Sequence, residues 1–78
     1  MFYVVYSRDS CVYCKMAIKE LHDKKLNYVV IQEEKTTQLK QESYDWQTVP
    51  LVCKNVEEEE QFIGGYTELH EHLKERGE

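Results

Sequence analysis

Apolar residues in this chain fall in short runs whose spacing switches between strand-like and helix-like. Residues 2–6 read Phe-Tyr-Val-Val-Tyr, and a run of β-branched and aromatic residues of this length is typical of a buried strand. After the loop over 7–10, apolar residues recur every three or four positions, which predicts a helix over about 12–24. Its end carries two lysines, where positive charge suits the helix dipole.

The rest of the chain predicts five further elements. In chain order, they are a strand over 28–31, a helix over 33–44, a strand over 49–53, a strand over 57–63 and a helix that starts at Tyr66 and closes at Arg76–Gly77. We expect Lys54–Asn55 to form the turn between the last two strands. Gly64–Gly65 breaks the apolar pattern ahead of the last helix.

The predicted order β-α-β-α-β-β-α specifies an architecture. A β-α-β unit makes a right-handed crossover between parallel strands, and two strands joined by a short turn must be antiparallel. A four-stranded mixed sheet flanked by three helices follows, which is the thioredoxin-like α/β fold. No linker or repeat divides the chain, so we expect one domain over 1–78.

Composition narrows the class of partner. The chain has 78 residues, a net charge of -5 and a pI of about 5.2, whereas nucleic acids and anionic membranes reward basic surfaces. No apolar run is long enough to span a bilayer, and the apolar start is too short for a signal peptide. We therefore expect a cytoplasmic protein that binds neither nucleic acid nor membrane.

Three cysteines are present, and two of them form the C-x-x-C motif Cys11-Val12-Tyr13-Cys14. An odd number cannot form a closed set of disulfides. Structural zinc requires four ligands, and neither Cys53 nor the three histidines form a second close pair. A C-x-x-C next to a β-α-β pattern is typical of redox chemistry, so we favour redox chemistry over zinc and predict no metal site.

The predicted position of the motif assigns different roles to its two cysteines. Cys11 would sit at a helix N-terminus, where free backbone N–H groups and the helix dipole favour a thiolate. Its pKa should lie below the free value of about 8.5, and Arg8 and Lys15 would add to the positive field. Cys14 would lie one turn inside the helix. We therefore predict that Cys11 attacks a disulfide and that Cys14 resolves the mixed disulfide.

Three segments in order carry a family resemblance: Cys11–Cys14, Thr48-Val49-Pro50 and Gly64-Gly65-Tyr66-Thr67-Glu68. With them, the chain resembles dithiol glutaredoxins over essentially its whole length. The compact length and the C-V-Y-C form are similar to phage-encoded members. Thioredoxins share the first segment and a proline like Pro50, but they normally lack the third segment.

The resemblance implies a glutathione site around the cysteines. Pro50 would follow a cis peptide bond, and Val49 would offer its backbone to the cysteine of glutathione. Tyr13 and Thr48 would line the tripeptide groove. Arg8 would meet the glycine carboxylate.

The resemblance also assigns the other end of the tripeptide. Gly65 would let the backbone come close to the ligand, and the helix N-terminus at Tyr66, Thr67 and Glu68 would receive the γ-glutamyl carboxylate. The chain departs from the usual family motif at two positions. Val12 stands where the family usually has Pro, and Glu68 stands where it usually has Asp, so the negative charge is kept one methylene further out.

The implied function is glutathione-dependent reduction of protein disulfides and glutathione mixed disulfides by a monomer. Glutathione would be a reducing co-substrate, with no permanently bound cofactor, and ribonucleotide reductase would be a family-typical client. One alternative is a glutaredoxin-like redoxin reduced by thioredoxin reductase. Another is a glutathione-dependent module in which a dimer binds an iron–sulfur cluster.

Residues outside these motifs are expected to be structural. We predict that Cys53 is a small buried hydrophobe on a strand and that Glu57–Glu60 form a solvated turn or strand edge. Tyr44 and Trp46 are expected to pack in the core. The alternative for Trp46 is a place at the rim of the active site, because it lies two residues before Thr48.

Overall fold

Residues 1–75 are described by this computed structural model. They form seven helices and strands. The elements are, in chain order, β1 (Phe2–Tyr6), α1 (Val12–Asp23), β2 (Tyr28–Ile31), α2 (Glu34–Tyr44), β3 (Leu51–Val56), β4 (Glu59–Gly64) and α3 (Tyr66–Glu75). The predicted order and the type of every element are confirmed. The predicted helix closure at Arg76–Gly77 lies outside the described residues.

The four strands form one mixed sheet in the order β2-β1-β3-β4. Strand β1 pairs in parallel with β2 across the α1 crossover, and it pairs antiparallel with β3. Strands β3 and β4 form an antiparallel hairpin. The expected thioredoxin-like fold is therefore confirmed, with β1 and β3 at the centre of the sheet.

Alternation along the strands divides the core between the two faces of the sheet. On one face, Tyr3, Val5 and Val52 pack with apolar side chains of α1 and α3. On the other face, Val4 and Tyr6 pack with a cluster that includes Tyr44, from α2. Because side chains of neighbouring strand residues point to opposite faces, the central strands are buried on both sides.

The hairpin turn lies three residues further along the chain than the sequence predicts. Glu57 and Glu58 make the turn, with φ angles of 50° and 68°, as the primed turns of two-residue hairpins require. The expected turn at Lys54–Asn55 is wrong because these residues pair with β1 on one side and β4 on the other. A turn there would leave the start of β1 without its ladder partner, so β3 extends to Val56.

Helix α2 is attached to the sheet differently from the other two helices. Thr37 is its one buried residue, and Leu39 is 58% exposed. The helix begins after Glu33, whose carboxylate accepts hydrogen bonds from the backbone N–H groups of Lys35 and Thr36. With so few apolar anchors, α2 depends on polar contacts with the rest of the molecule.

Candidate active site

Cys11 lies at the junction between the loop after β1 and the first turn of α1. It is the N-cap of that helix, with an extended backbone, and its sulfur accepts a hydrogen bond from the backbone N–H of Cys14 at 3.1 Å. A cysteine sulfur thus takes the place of the oxygen that usually caps a helix. This N–H group and the helix dipole favour negative charge on the sulfur.

The two cysteines of the motif differ in access to solvent. Their sulfurs are joined as a disulfide, yet Cys14 is only 2% exposed while Cys11 is partly exposed. An external disulfide therefore reaches Cys11 more easily than Cys14. This asymmetry agrees with the predicted roles of Cys11 as nucleophile and Cys14 as resolving thiol.

The loop before β3 runs beside Cys11. The Val49–Pro50 peptide is cis, as expected, and Pro50 is buried. The carbonyl oxygen of Val49 lies 3.8 Å from the sulfur of Cys11. The backbone of Val49 is thus within reach of a group bonded to that sulfur.

Most of the predicted site residues line a groove of about 320 Å³. This volume is at the low end of the range for small-molecule sites. Its lining residues are Tyr13, Trp46, Thr48, Val49, Pro50, Gly65, Tyr66, Thr67 and Glu68. They come from three segments that lie far apart in sequence. The structure therefore places all the predicted glutathione residues except Arg8 around one hollow.

The Gly64–Gly65 pair shapes one end of this groove. Gly64 has a φ of +131°, and a Cβ there would lie 2.7 Å from the side chain of Glu68. At Gly65, a Cβ would crowd Trp46 and Glu68 at 3.3 Å each. Glu68 accepts a hydrogen bond from the backbone N–H of Gly65 at 2.9 Å, so its carboxylate caps α3 at the edge of the groove.

Arg8 has protein partners on α2. Its Nε and Nη2 atoms donate to the carboxylate of Glu34 at 2.8–3.0 Å, and Nη2 also donates to Oε1 of Gln41 at 3.1 Å. The hydrogen bond from Arg8 lowers the pKa of Glu34. Sequence spacing alone does not point to Glu34 or Gln41, because the fold brings α2 beside the loop that carries Arg8.

Trp46 belongs to the groove as well as to the core. Its indole packs edge-on against Phe62, with ring centroids 5.5 Å apart, and it stands next to Gly65. The sequence predicts core packing for Trp46 and leaves open a place at the rim of the active site. The available signal was its position two residues before Thr48, and the structure shows both roles.

The remaining candidate residues lie elsewhere. Cys53 is fully buried on β3, as expected of a small hydrophobe. Within residues 1–75, no group of three or more His, Cys, Asp or Glu side chains is arranged to hold a metal ion. Within the same residues, no helix has the length and apolar character needed to cross a membrane.

Comparison with known proteins agrees with this geometry. The sequence model of the glutaredoxin family matches residues 3–58. The chain belongs to the glutaredoxin family. Glutaredoxins are thiol–disulfide oxidoreductases with a thioredoxin-like fold and a redox-active cysteine pair, and they use glutathione as a co-substrate.

Two curated relatives support this family membership, and one solved structure supports the fold. It is 37% identical to "Glutaredoxin-2, mitochondrial" of Homo sapiens and 36% identical to the protein of the same name from Rattus norvegicus. Each match covers 92% of this chain and 45% or 47% of the relative, so the chain spans about half the length of these relatives. A crystal structure of a mutant thioredoxin-like protein matches with a TM-score of 0.70 and 18% identity, covering 94% of this chain and 95% of that one, which supports the fold.

Proposed function

We propose that this chain reduces protein disulfides and glutathione mixed disulfides, with glutathione as the source of electrons. The observation that carries the proposal is the groove beside Cys11. The cis-proline loop and the N-terminus of α3 form its walls. The Val49 carbonyl lies next to the sulfur of Cys11. Glutathione is a short peptide thiol, so such a groove suits its backbone and its two charged ends.

The chemistry is a balanced transfer of two electrons. The Cys11 thiolate attacks one sulfur of the client disulfide, forms a mixed disulfide and releases the other client sulfur as a thiolate that takes up a proton. The Cys14 thiolate then attacks the sulfur of Cys11 and frees the client as a dithiol. Two molecules of glutathione reduce the resulting Cys11–Cys14 disulfide in two successive exchanges and leave as glutathione disulfide. With a glutathione mixed disulfide, Cys11 takes the glutathione sulfur and one further glutathione completes the cycle.

The charges around the groove suit glutathione, which carries two carboxylates and one ammonium. The first backbone N–H groups of α3 have no partner inside the helix and attract a carboxylate. Glu68 supplies a negative charge for the ammonium at the same end. Arg8 is the proposed partner for the glycine carboxylate at the other end, near Thr48.

Exposed apolar side chains around the nucleophile support a protein client. Val12 is 66% exposed, Tyr13 60% and Met16 39%, and an apolar rim of this kind suits contact with another protein. Ribonucleotide reductase is the client we propose to test first. We also propose that the protein is active as a monomer, because one chain supplies every wall of the groove. The cytoplasmic location stays a prediction.

The source of electrons is tested by supplying two reducing systems to the oxidised chain. One contains glutathione, glutathione reductase and NADPH, and the other contains thioredoxin reductase and NADPH. We expect faster reduction by glutathione. Failure of glutathione to reduce the disulfide would contradict the proposal, and faster reduction by thioredoxin reductase would favour the redoxin alternative.

The variant Glu68→Gln sharpens this test. Glutamine at this position of a helix can still accept the capping hydrogen bond, so the variant removes the negative charge and keeps the cap. We expect kcat/KM for glutathione to fall. The loss corresponds to about 1–3 kcal/mol of transition-state stabilisation. Glu71→Gln, on an exposed position of the same helix, is the matched control and should leave kcat/KM unchanged.

A further inference from the structure

The ion pair between Arg8 and Glu34 occupies one of the two guanidinium edges that offer a carboxylate two N–H groups. Arginine binds carboxylates most strongly with two parallel N–H groups. Glu34 takes the pair formed by Nε and Nη2, and Gln41 takes the second hydrogen of Nη2. A ligand carboxylate is therefore left with Nη1.

Gln41 links this ion pair to the groove. Its Oε1 accepts from Arg8, and its Nε2 donates to the backbone carbonyl of Thr48 at 3.2 Å. Thr48 lines the groove, so the side chain of Gln41 connects Arg8 to a residue of the groove wall. The side-chain amide of Gln38 also donates to Glu34 at 3.3 Å, which helps to hold that carboxylate in place.

We propose that Glu34 is a specificity-determining residue that masks Arg8 from carboxylate-bearing ligands. This inference rests on the proposed use of glutathione. The side chain of Glu34 is half exposed and that of Arg8 is 37% exposed, so solvent and ligand both reach the pair. The negative charge of Glu34 offsets the positive charge of Arg8, and the glycine carboxylate must compete with it for the same guanidinium.

A prediction with a definite sign follows for the glycine end of the ligand. The substrates are a peptide mixed disulfide with glutathione and the same compound with the glycine carboxylate converted to an amide. The measured quantity is the ratio of the two kcat/KM values, carboxylate over amide. In Glu34→Gln, we expect this ratio to rise about three- to tenfold, as for an exposed or partly exposed charged contact.

Three further variants complete the design. Glu42→Gln removes one negative charge from an exposed position of the same helix and should leave the ratio unchanged. Glu34→Asp keeps the charge near the helix N-terminus but shortens the side chain, so it should give a smaller rise. Adding Arg8→Gln to Glu34→Gln should remove the gain, because no guanidinium is then left to unmask.

The possible outcomes separate this inference from the proposed function. A ratio that is unchanged or lower in folded Glu34→Gln would overturn the masking role, and a lower ratio would mean that Glu34 orients Arg8 for the ligand. A rise that persists after Arg8→Gln is added would also overturn it. If the wild-type chain does not turn over the glutathione mixed disulfide at all, the proposed function fails whatever the variants do. Thermal melting of each variant verifies that the fold is intact.

Discussion

Cys11 and Cys53 carry the same thiol in opposite surroundings. Cys11 caps α1, its sulfur accepts a backbone N–H, and it is partly exposed. Cys53 is fully buried in the middle of β3, and burial, together with the negative charge of Glu60, raises its pKa to about 12. Their positions relative to the sheet therefore make one thiol fit for nucleophilic attack and keep the other neutral.

The comparison extends to the polar groups around each cysteine. Near Cys53, Lys40 donates to both carboxylate oxygens of Glu60 at 2.9–3.0 Å, and the hydroxyl of Tyr44 donates to the same carboxylate. These contacts join α2 to β4. The polar groups near Cys11, among them Thr48 and Glu68, line the groove instead. The surroundings of Cys53 therefore contribute to the stability of the fold, whereas those of Cys11 are open to a ligand.

The largest expected effect separates the two cysteines by activity. Cys11→Ser should abolish turnover with every disulfide substrate, because a serine hydroxyl cannot form the mixed disulfide. Cys53→Ala should keep its activity, since that thiol is buried and protonated. Disulfide reduction assays on both purified variants provide the measurement, and substantial activity in Cys11→Ser would show that the nucleophile is misassigned.

Cys14→Ser is the companion variant for the first prediction. It should lose the reduction of protein disulfides, in which the second thiol releases the client. It should keep the reduction of glutathione mixed disulfides, which external glutathione can complete. Loss of both activities in a folded variant would count against the resolving role of Cys14.

A second, more graded effect concerns thiol reactivity. In the reduced protein at neutral pH, we expect Cys11 to react with iodoacetamide at least about a hundredfold faster than Cys53, because the thiolate is the reactive form. Mass spectrometry of digested protein after timed alkylation measures both rates in one sample. Comparable rates in the native protein would break the contrast, and unfolding in urea should abolish most of it.

The smallest expected effect is on the free energy of unfolding, through the carboxylate of Glu60 near Cys53. Burial by itself would raise the pKa of Glu60, but hydrogen bonds from Tyr44 and Lys40 outweigh it and lower the pKa. The carboxylate therefore stabilises the fold above its usual pKa of 4.5, and this contribution is lost as the pH falls through the lowered value. Glu60→Gln should reduce the free energy of unfolding by about 1–2 kcal/mol at pH 7.

Urea unfolding of the wild type and Glu60→Gln at pH 7 and pH 3 measures this effect. The difference between them should shrink at the lower pH, which lies below the usual carboxyl pKa of 4.5 that applies in the unfolded chain. Glu59→Gln, at the exposed neighbouring position, is the control and should change stability little at either pH. A difference that grows on acidification would contradict the sign of the linkage.

The hairpin shows where local sequence signals mislead. Asn55 is a common turn residue, whereas glutamate is an unusual choice for a positive φ. The turn nevertheless lies at Glu57 and Glu58, because pairing on both edges of β3 outweighs the local preference. The buried position of Cys53 was predictable because it rests on a run of apolar residues, a pattern that survives a shift of the turn.

The order of the elements, the fold and the position of Cys11 at a helix start could be predicted from the sequence, because periodicity and the C-x-x-C motif are local properties. The ion pair of Arg8 with Glu34 could be seen only in the folded chain, and the folded chain also shows that Trp46 lines the groove, a place that the sequence had left open. Both depend on how α2 and the loop that follows it lie beside loops distant in sequence. Local spacing does not determine which side chains of distant segments meet, so the sequence could not predict the partner of Arg8 and could only suggest the rim for Trp46.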